Sequence, residues 1–160
     1  MRSIALAVTI GAAVMFSSCN YSSMPGNTSL APIVNGAWSV TLAPNAQGGS
    51  TPPPATMLAV NFVQNGSTLS GTVTAVNNAD STCFPLITPQ TNFMVTGRTV
   101  AQSQSNSNLT LTIAFTSGSS NGTIMGTGAL AYLGTMANGT FSFSTGAAGC
   151  TSGTFTMTQG

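Results

Sequence analysis

Apolar and polar residues alternate with a period of two along most of the chain beyond residue 35. The clearest run is Asn108 to Thr116, in which Leu109, Leu111, Ile113 and Phe115 are opposed by Thr110, Thr112, Ala114 and Thr116. Successive side chains of a strand point to opposite faces, so this run predicts a strand with one buried and one solvated face. Val60 to Ala75 holds two such runs joined through Asn65-Gly66, which predicts a β-hairpin. Asn-Gly suits the positive φ angles of a type I′ turn, and the period sets Val60 and Phe62 on one face of the first strand, with Leu69, Gly71 and Val73 on one face of the second.

The same grammar predicts eight strands. The first runs from Gly36 to Leu42 with Trp38, Val40 and Leu42 on one face, and the hairpin supplies the second and third, starting near Met57. The fourth is Asn92 to Val100, with Phe93, Val95 and Gly97 together, and the fifth is the run from Asn108. Thr123 to Tyr132 and Thr135 to Ser144 flank Leu133-Gly134, and Ser152 to Thr158 closes the set with Phe155 and Met157 on one face. No segment beyond residue 20 carries the helical period. The expected class is all-β, as an eight-stranded antiparallel up-and-down β-barrel, with an immunoglobulin-like β-sandwich as the alternative. Glycines within strands, at 71, 97, 126 and 128, suit the sharp bending of a small barrel.

Loop positions favour the barrel. In an up-and-down order the loops after the first, third, fifth and seventh strands share one end. Cys83 lies in the loop after the third strand and Cys150 in the loop after the seventh, so both fall at that end and a disulfide between them is expected. The same end collects the Pro-rich stretch from Ala43 to Ala55 and the irregular stretch from Asn77 to Thr91. Loops on a rigid scaffold commonly carry recognition, so this end is expected to face away from the membrane discussed below.

The N-terminus has a different texture. Arg2 precedes an apolar run from Ile4 to Phe16 that is shorter than the roughly 20 residues a spanning helix needs, which predicts a secretory signal. The run ends in Phe16-Ser17-Ser18-Cys19, which resembles the lipobox of bacterial lipoproteins. That resemblance implies a signal peptide over 1–18, a diacylated Cys19 as the new N-terminus and a membrane partner reached through the lipid. Asn20 after it resembles the sorting pattern of outer-membrane lipoproteins in a diderm host, so the expected address is the bacterial cell envelope. Residues 19–34 are polar and rich in turn formers, which predicts a flexible tether, and 35–160 form the barrel domain. With Cys19 lipidated, Cys83 and Cys150 remain as one pair in an oxidising compartment.

A second resemblance lies in the barrel. Gly36-Ala37-Trp38 at the start of the first strand is similar to the Gly-x-Trp of the calycins, the lipocalin and avidin group, and Phe62 through Thr72 resembles the second and third strands of avidins. The resemblance implies an up-and-down barrel closed at one end by the tryptophan. Avidin-like ligand binding uses several tryptophans, and Trp38 is the only one here, so no ligand residue is carried over.

Charge is nearly absent. Arg2, Asp80 and Arg98 are the only charged residues in a chain of 160 that is 42% hydrophobic. There is no basic face to neutralise phosphates, so no nucleic-acid partner is expected. There is no His, Lys or Glu, so the usual triads, dyads and paired carboxylates cannot be assembled, and neither an enzyme nor a cofactor or metal site is expected. Asp80 and Arg98 are read as solvated residues, and Asn65, Asn108, Asn121 and Asn138, though in Asn-x-Ser/Thr sequons, as plain turn and edge residues. Two roles remain: a monomeric, non-enzymatic envelope lipoprotein with a structural or surface-interaction role, or a module holding a small apolar or sugar-like molecule. Interior volume separates them, because Phe62, Leu111, Phe115, Phe141, Phe143 and Phe155 are large enough to fill an eight-stranded barrel.

Composition also bears on stability. Acid unfolding requires groups whose proton affinity differs between folded and unfolded chains, and Asp80 is the only carboxylic side chain. Thermal melts recorded at pH 3 and pH 7 are therefore expected to coincide within a few degrees, and a large acid destabilisation would contradict this.

Overall fold

Eight strands form, at nearly the expected bounds. The computed structural model describes residues 33–46, 50–78, 83–89, 91–101, 106–131, 134–144 and 150–160. The strands are β1 (Gly36–Pro44), β2 (Thr56–Asn65), β3 (Thr68–Asn78), β4 (Asn92–Ala101), β5 (Asn106–Ser117), β6 (Ser120–Ala131), β7 (Met136–Phe143) and β8 (Ser152–Gln159). Each pairs antiparallel with the next and β8 returns to β1, closing one barrel in sequence order. A sandwich would leave two open sheets, so that alternative is excluded. The segment 1–18, Cys19 and the tether up to residue 32 lie outside the described residues.

The inward rows are apolar and the outward rows mainly polar, with Met57, Val63, Met94, Val100, Met125 and Met136 exposed among them. Trp38, Val40 and Leu42 of β1, Leu58, Val60 and Phe62 of β2, and Leu109, Leu111, Ile113 and Phe115 of β5 are all buried. Outside, β5 shows Asn108, Thr110 and Thr116, and β8 shows Thr154, Thr156 and Thr158. This is the reverse of the apolar-out, polar-in pattern of a strand that crosses a bilayer.

Eight strands enclose a lumen only wide enough for side chains, so large inward residues must be balanced by small ones. At three places the barrel does this by setting an aromatic opposite a glycine. Phe62 pairs with Gly71, Phe155 with Gly139 and Phe141 with Gly153. The Phe155 ring extends over Gly126 as well, where a Cβ would lie 3.1 Å from Cε1. At Gly139 a Cβ would be 2.7 Å from the same ring carbon and would overlap the Thr127 carbonyl oxygen.

This complementarity explains one departure from the expected hairpin. Asn65 pairs with Thr68, so the turn residues are Gly66 and Ser67; Gly66 has φ of 60°, and among the described residues no other residue type has positive φ. That is the pattern of a type II′ turn, with Gly first, and not a type I′ turn on Asn65-Gly66. A turn centred one residue earlier would set Phe62 against Leu69; the observed register sets it against Gly71. Gly118-Ser119 joins β5 to β6 in the same way, with Gly118 at φ of 60°.

The wall is not uniform. In β3, Ala59 pairs with Ala75 and Val60 with Val73, leaving Thr74 as a bulge whose hydroxyl donates to the Ala59 carbonyl at 3.3 Å. The extra residue hands the inward position to Val76, which is half-buried while Ala75 is exposed. Such a bulge bends its strand. β3 has already parted from β4 before this point, since their ladder runs only from Thr68↔Arg98 to Gly71↔Val95. A wedge opens between the two strands toward the end that carries Cys83.

The aromatic-over-glycine packing predicts a ranking. Gly139→Ala is expected to lower unfolding free energy by at least about 2 kcal/mol, as overpacking in a close-fitted core does. Gly118→Ala, with nothing within 4 Å of the new Cβ, carries only the left-handed backbone penalty of about 1 kcal/mol. Urea midpoints of the two variants check the order, and equal losses would contradict the packing account.

Candidate functional site

Both ends of the barrel are closed, by different means. At the end where β1 begins, Val34 is fully buried and its amide donates to Gln64 Oε1 at 2.6 Å. The Gln64 amide donates to Asn35 Oδ1 at 2.7 Å, and Gln159 Nε2 donates to the Asn35 carbonyl at 3.0 Å. This polar clasp satisfies the backbone where the chain enters the barrel. Trp38, at the foot of β1, is 2% exposed, and its indole Nε1 is a buried donor without an acceptor among the described residues.

The opposite end is plugged by the connection between β3 and β4. Phe84 and Ile87 are buried as fully as any strand residue. The Phe84 ring sits 5.4 Å from that of Phe143 and 6.2 Å from that of Phe141, and Phe143, Phe115 and Phe93 continue the contact at 5.6 and 6.2 Å. Tilted pairs at these distances each add about 0.5–1.5 kcal/mol beyond area burial. The plug also has internal order. The Ile87 amide donates to the Phe84 carbonyl at 2.9 Å, and the Thr91 hydroxyl donates to the Leu86 carbonyl at 2.6 Å while accepting the Thr88 amide at 2.9 Å.

Cys83 and Cys150 are joined in a disulfide with Cα atoms 5.3 Å apart, across a sequence separation of 67. The bridge ties the residue before Phe84 to the loop leading into β8. Arg98 lies elsewhere: it is exposed on β4 opposite Thr68, toward the clasp end, and its companion Asp80 falls outside the described residues. Asn65, Asn108, Asn121 and Asn138 are all exposed.

With the lumen occupied by side chains, open space lies on the wall. A cleft of about 450 Å³ crosses β4, β5 and β6 near the plugged end. One side is the register row Asn92–Thr116–Asn121 and the other is the row Met94–Ala114–Thr123. Between them Phe93, Phe115 and Gly122 turn to the opposite face. A smaller hollow of about 110 Å³ fills the wedge between β3 and β4, lined by Val73 to Val76, Pro89 and Thr91. Phe93 lines both hollows, half-buried. None of these lining residues is charged.

Strand periodicity does not reveal the plug, the clasp or the cleft. Phe84 and Ile87 sit among prolines without a period, and Val34 precedes the first strand. No family model, curated protein or solved structure matches the chain, so the site is read from its own geometry.

Closing a loop of this length contributes about 4 kcal/mol in the chain-entropy account of a disulfide. Cys83→Ala with Cys150→Ala is expected to lower stability by about that amount and to raise hydrogen exchange at Phe84 to Ile87 ahead of the strands. Uniform loss of protection throughout the barrel would show that the bridge does not act through the plug.

Proposed function

We propose that the protein is a non-enzymatic lipoprotein of the bacterial cell envelope, held to the membrane through a lipid on Cys19 and acting by contacts made on its outer wall. The observation that carries this reading is the filled lumen. Aromatics over glycines occupy the middle, Phe84 and Ile87 occupy one mouth, and Val34 occupies the other. A barrel that stores or carries a molecule inside needs that volume free. What such a body offers its surroundings is its exterior, which here is threonine, serine and asparagine with scattered exposed methionines and valines, almost free of charge. Hydroxyl and amide groups donate and accept, so this exterior suits uncharged hydrogen-bonding partners.

The tether supports the orientation. The chain passes into β1 through Val34 and Asn35 at the clasp end, so a lipid on Cys19 holds that end toward the bilayer and turns the disulfide, the plug and the wall cleft outward. The runner-up, a module for a small uncharged ligand, draws support from the cleft.

The anchor is testable in the full-length chain. Growth with an alkyne-tagged fatty acid is expected to label the wild-type protein, which fractionates with membranes, whereas Cys19→Ser is expected to lose the label and leave the membrane fraction. An unlabelled wild type that begins at another residue in intact-mass measurement would overturn the proposal.

A further inference from the structure

The wall cleft has the chemistry of a saccharide site, and the geometry points to a linear, neutral oligosaccharide as its ligand, crossing β4 to β6 and passing over Phe93 into the wedge beside β3. This deepens the surface-contact reading and rests on it, because the cleft is part of the outer wall. A sugar ring presents two kinds of surface: a rim of hydroxyls that both donate and accept, and a face of C–H groups. The cleft presents the complement of each.

On one side Asn92, Thr116 and Asn121 stand in a single cross-strand row, all exposed. Two amides and a hydroxyl there offer donors and acceptors together, which only a partner with mixed hydrogen-bonding groups can satisfy. On the other side Met94 is 67% exposed and Ala114 adjoins it across the ladder. A thioether and a methyl have no use for hydroxyls but pack against C–H groups. The two rows lie two residues apart along each strand, a spacing of about 6.8 Å that matches the width of one sugar ring.

Depth comes from small residues. Ala114 occupies the middle of its row and Gly122 the β6 position between the rows, so the hollow lies where side chains are shortest. Its volume of about 450 Å³ falls within the range of small-molecule sites. Phe93 joins the two hollows: its side chain turns to the face opposite the two rows, its ring lies 6.2 Å from that of Phe115, and it lines both the cleft and the wedge.

Other ligand classes fit less well. Anions and cations find no countercharge among the lining residues. An apolar molecule would desolvate Asn92 and Asn121 without replacing their hydrogen bonds, at a cost of several-fold in affinity for each. An extended peptide would pair with the open backbone edges of the β3–β4 wedge and leave the Asn-Thr-Asn row unused.

The experiment is a titration of the uniformly ¹⁵N-labelled, disulfide-intact chain followed by amide chemical shifts. Maltohexaose, cellohexaose and chitohexaose serve as neutral probes, with a sulfated oligosaccharide, palmitate and an uncharged peptide as alternatives. Saturable shifts confined to Asn92, Phe93, Met94, Ala114 and Asn121 are expected with at least one neutral probe. Asn92→Ala and Asn121→Ala are each expected to weaken binding about fivefold, the loss of one hydrogen bond, while Asn61→Ala on the β2 wall changes nothing. Ala114→Trp fills the cleft and should abolish the shifts, and the two asparagine variants keep the test valid if that substitution disturbs folding. Absence of saturable shifts with all three neutral probes, shifts elsewhere, or binding of palmitate or peptide at these residues overturns the assignment. Fatty-acid labelling of Cys19 is read independently, so a silent cleft leaves the anchored module standing, and an unlabelled chain leaves the cleft standing.

Discussion

A lumen that side chains alone can fill is the constraint on which this barrel depends. With eight strands the interior holds a limited side-chain volume, so its largest rings need small residues beside them. The solution is complementarity across the ladder: Phe62 over Gly71, Phe155 over Gly139 and Gly126, Phe141 over Gly153. The glycines are more than flexible links here. At Gly139 a Cβ would overlap a backbone carbonyl of the adjacent strand, so the glycine lets two strands approach closely while the ring opposite covers the space. Register, turn type and strand bending all follow from the same fit.

Filling the middle leaves the two mouths, and their closures reflect what each end must do. At the clasp end the chain has to enter, so backbone polar groups come with it and are met by Gln64, Asn35 and Gln159. At the other end a loop turns back on the barrel, and its cover is apolar, through Phe84 and Ile87. An apolar lid is held only by burial and by its attachment points. The Cys83–Cys150 bridge and the Thr91 hydrogen bonds supply that attachment, and they limit the number of conformations the loop can adopt when it leaves the core.

The eight strands were legible because each is a half-buried element whose period of two appears in the residues themselves. Trp38-Val40-Leu42 and Leu109-Leu111-Ile113-Phe115 need no tertiary knowledge to be placed on one face. The order of the strands and the disulfide were legible for a related reason: in an up-and-down barrel the parity of a loop determines its end. What stayed hidden depends on relations between distant segments. Phe84 and Ile87 look like loop residues until the mouth they fill exists, and Val34 looks like tether until Gln64 stands beside it. The row Asn92–Thr116–Asn121 joins three strands through their registers, and register responds to the fit of Phe62 against Gly71, a matter of volume that hydropathy does not encode. The bulge at Thr74 was likewise invisible, since Val73-Thr74-Ala75-Val76 alternates as well with the extra residue as without it.

The parting of β3 from β4 ties the wall hollows to the packing. Their ladder ends at Gly71↔Val95, Pro89 and Thr91 of the plug line the opening, and Phe93 is left half-buried with Phe115 beside it. The wedge and the adjoining cleft are hollows of the described wall, and the rings of Phe84, Phe143 and Phe115 connect them to the disulfide-held plug. The stability of the mouth and the shape of the wall site are therefore set by one continuous set of contacts.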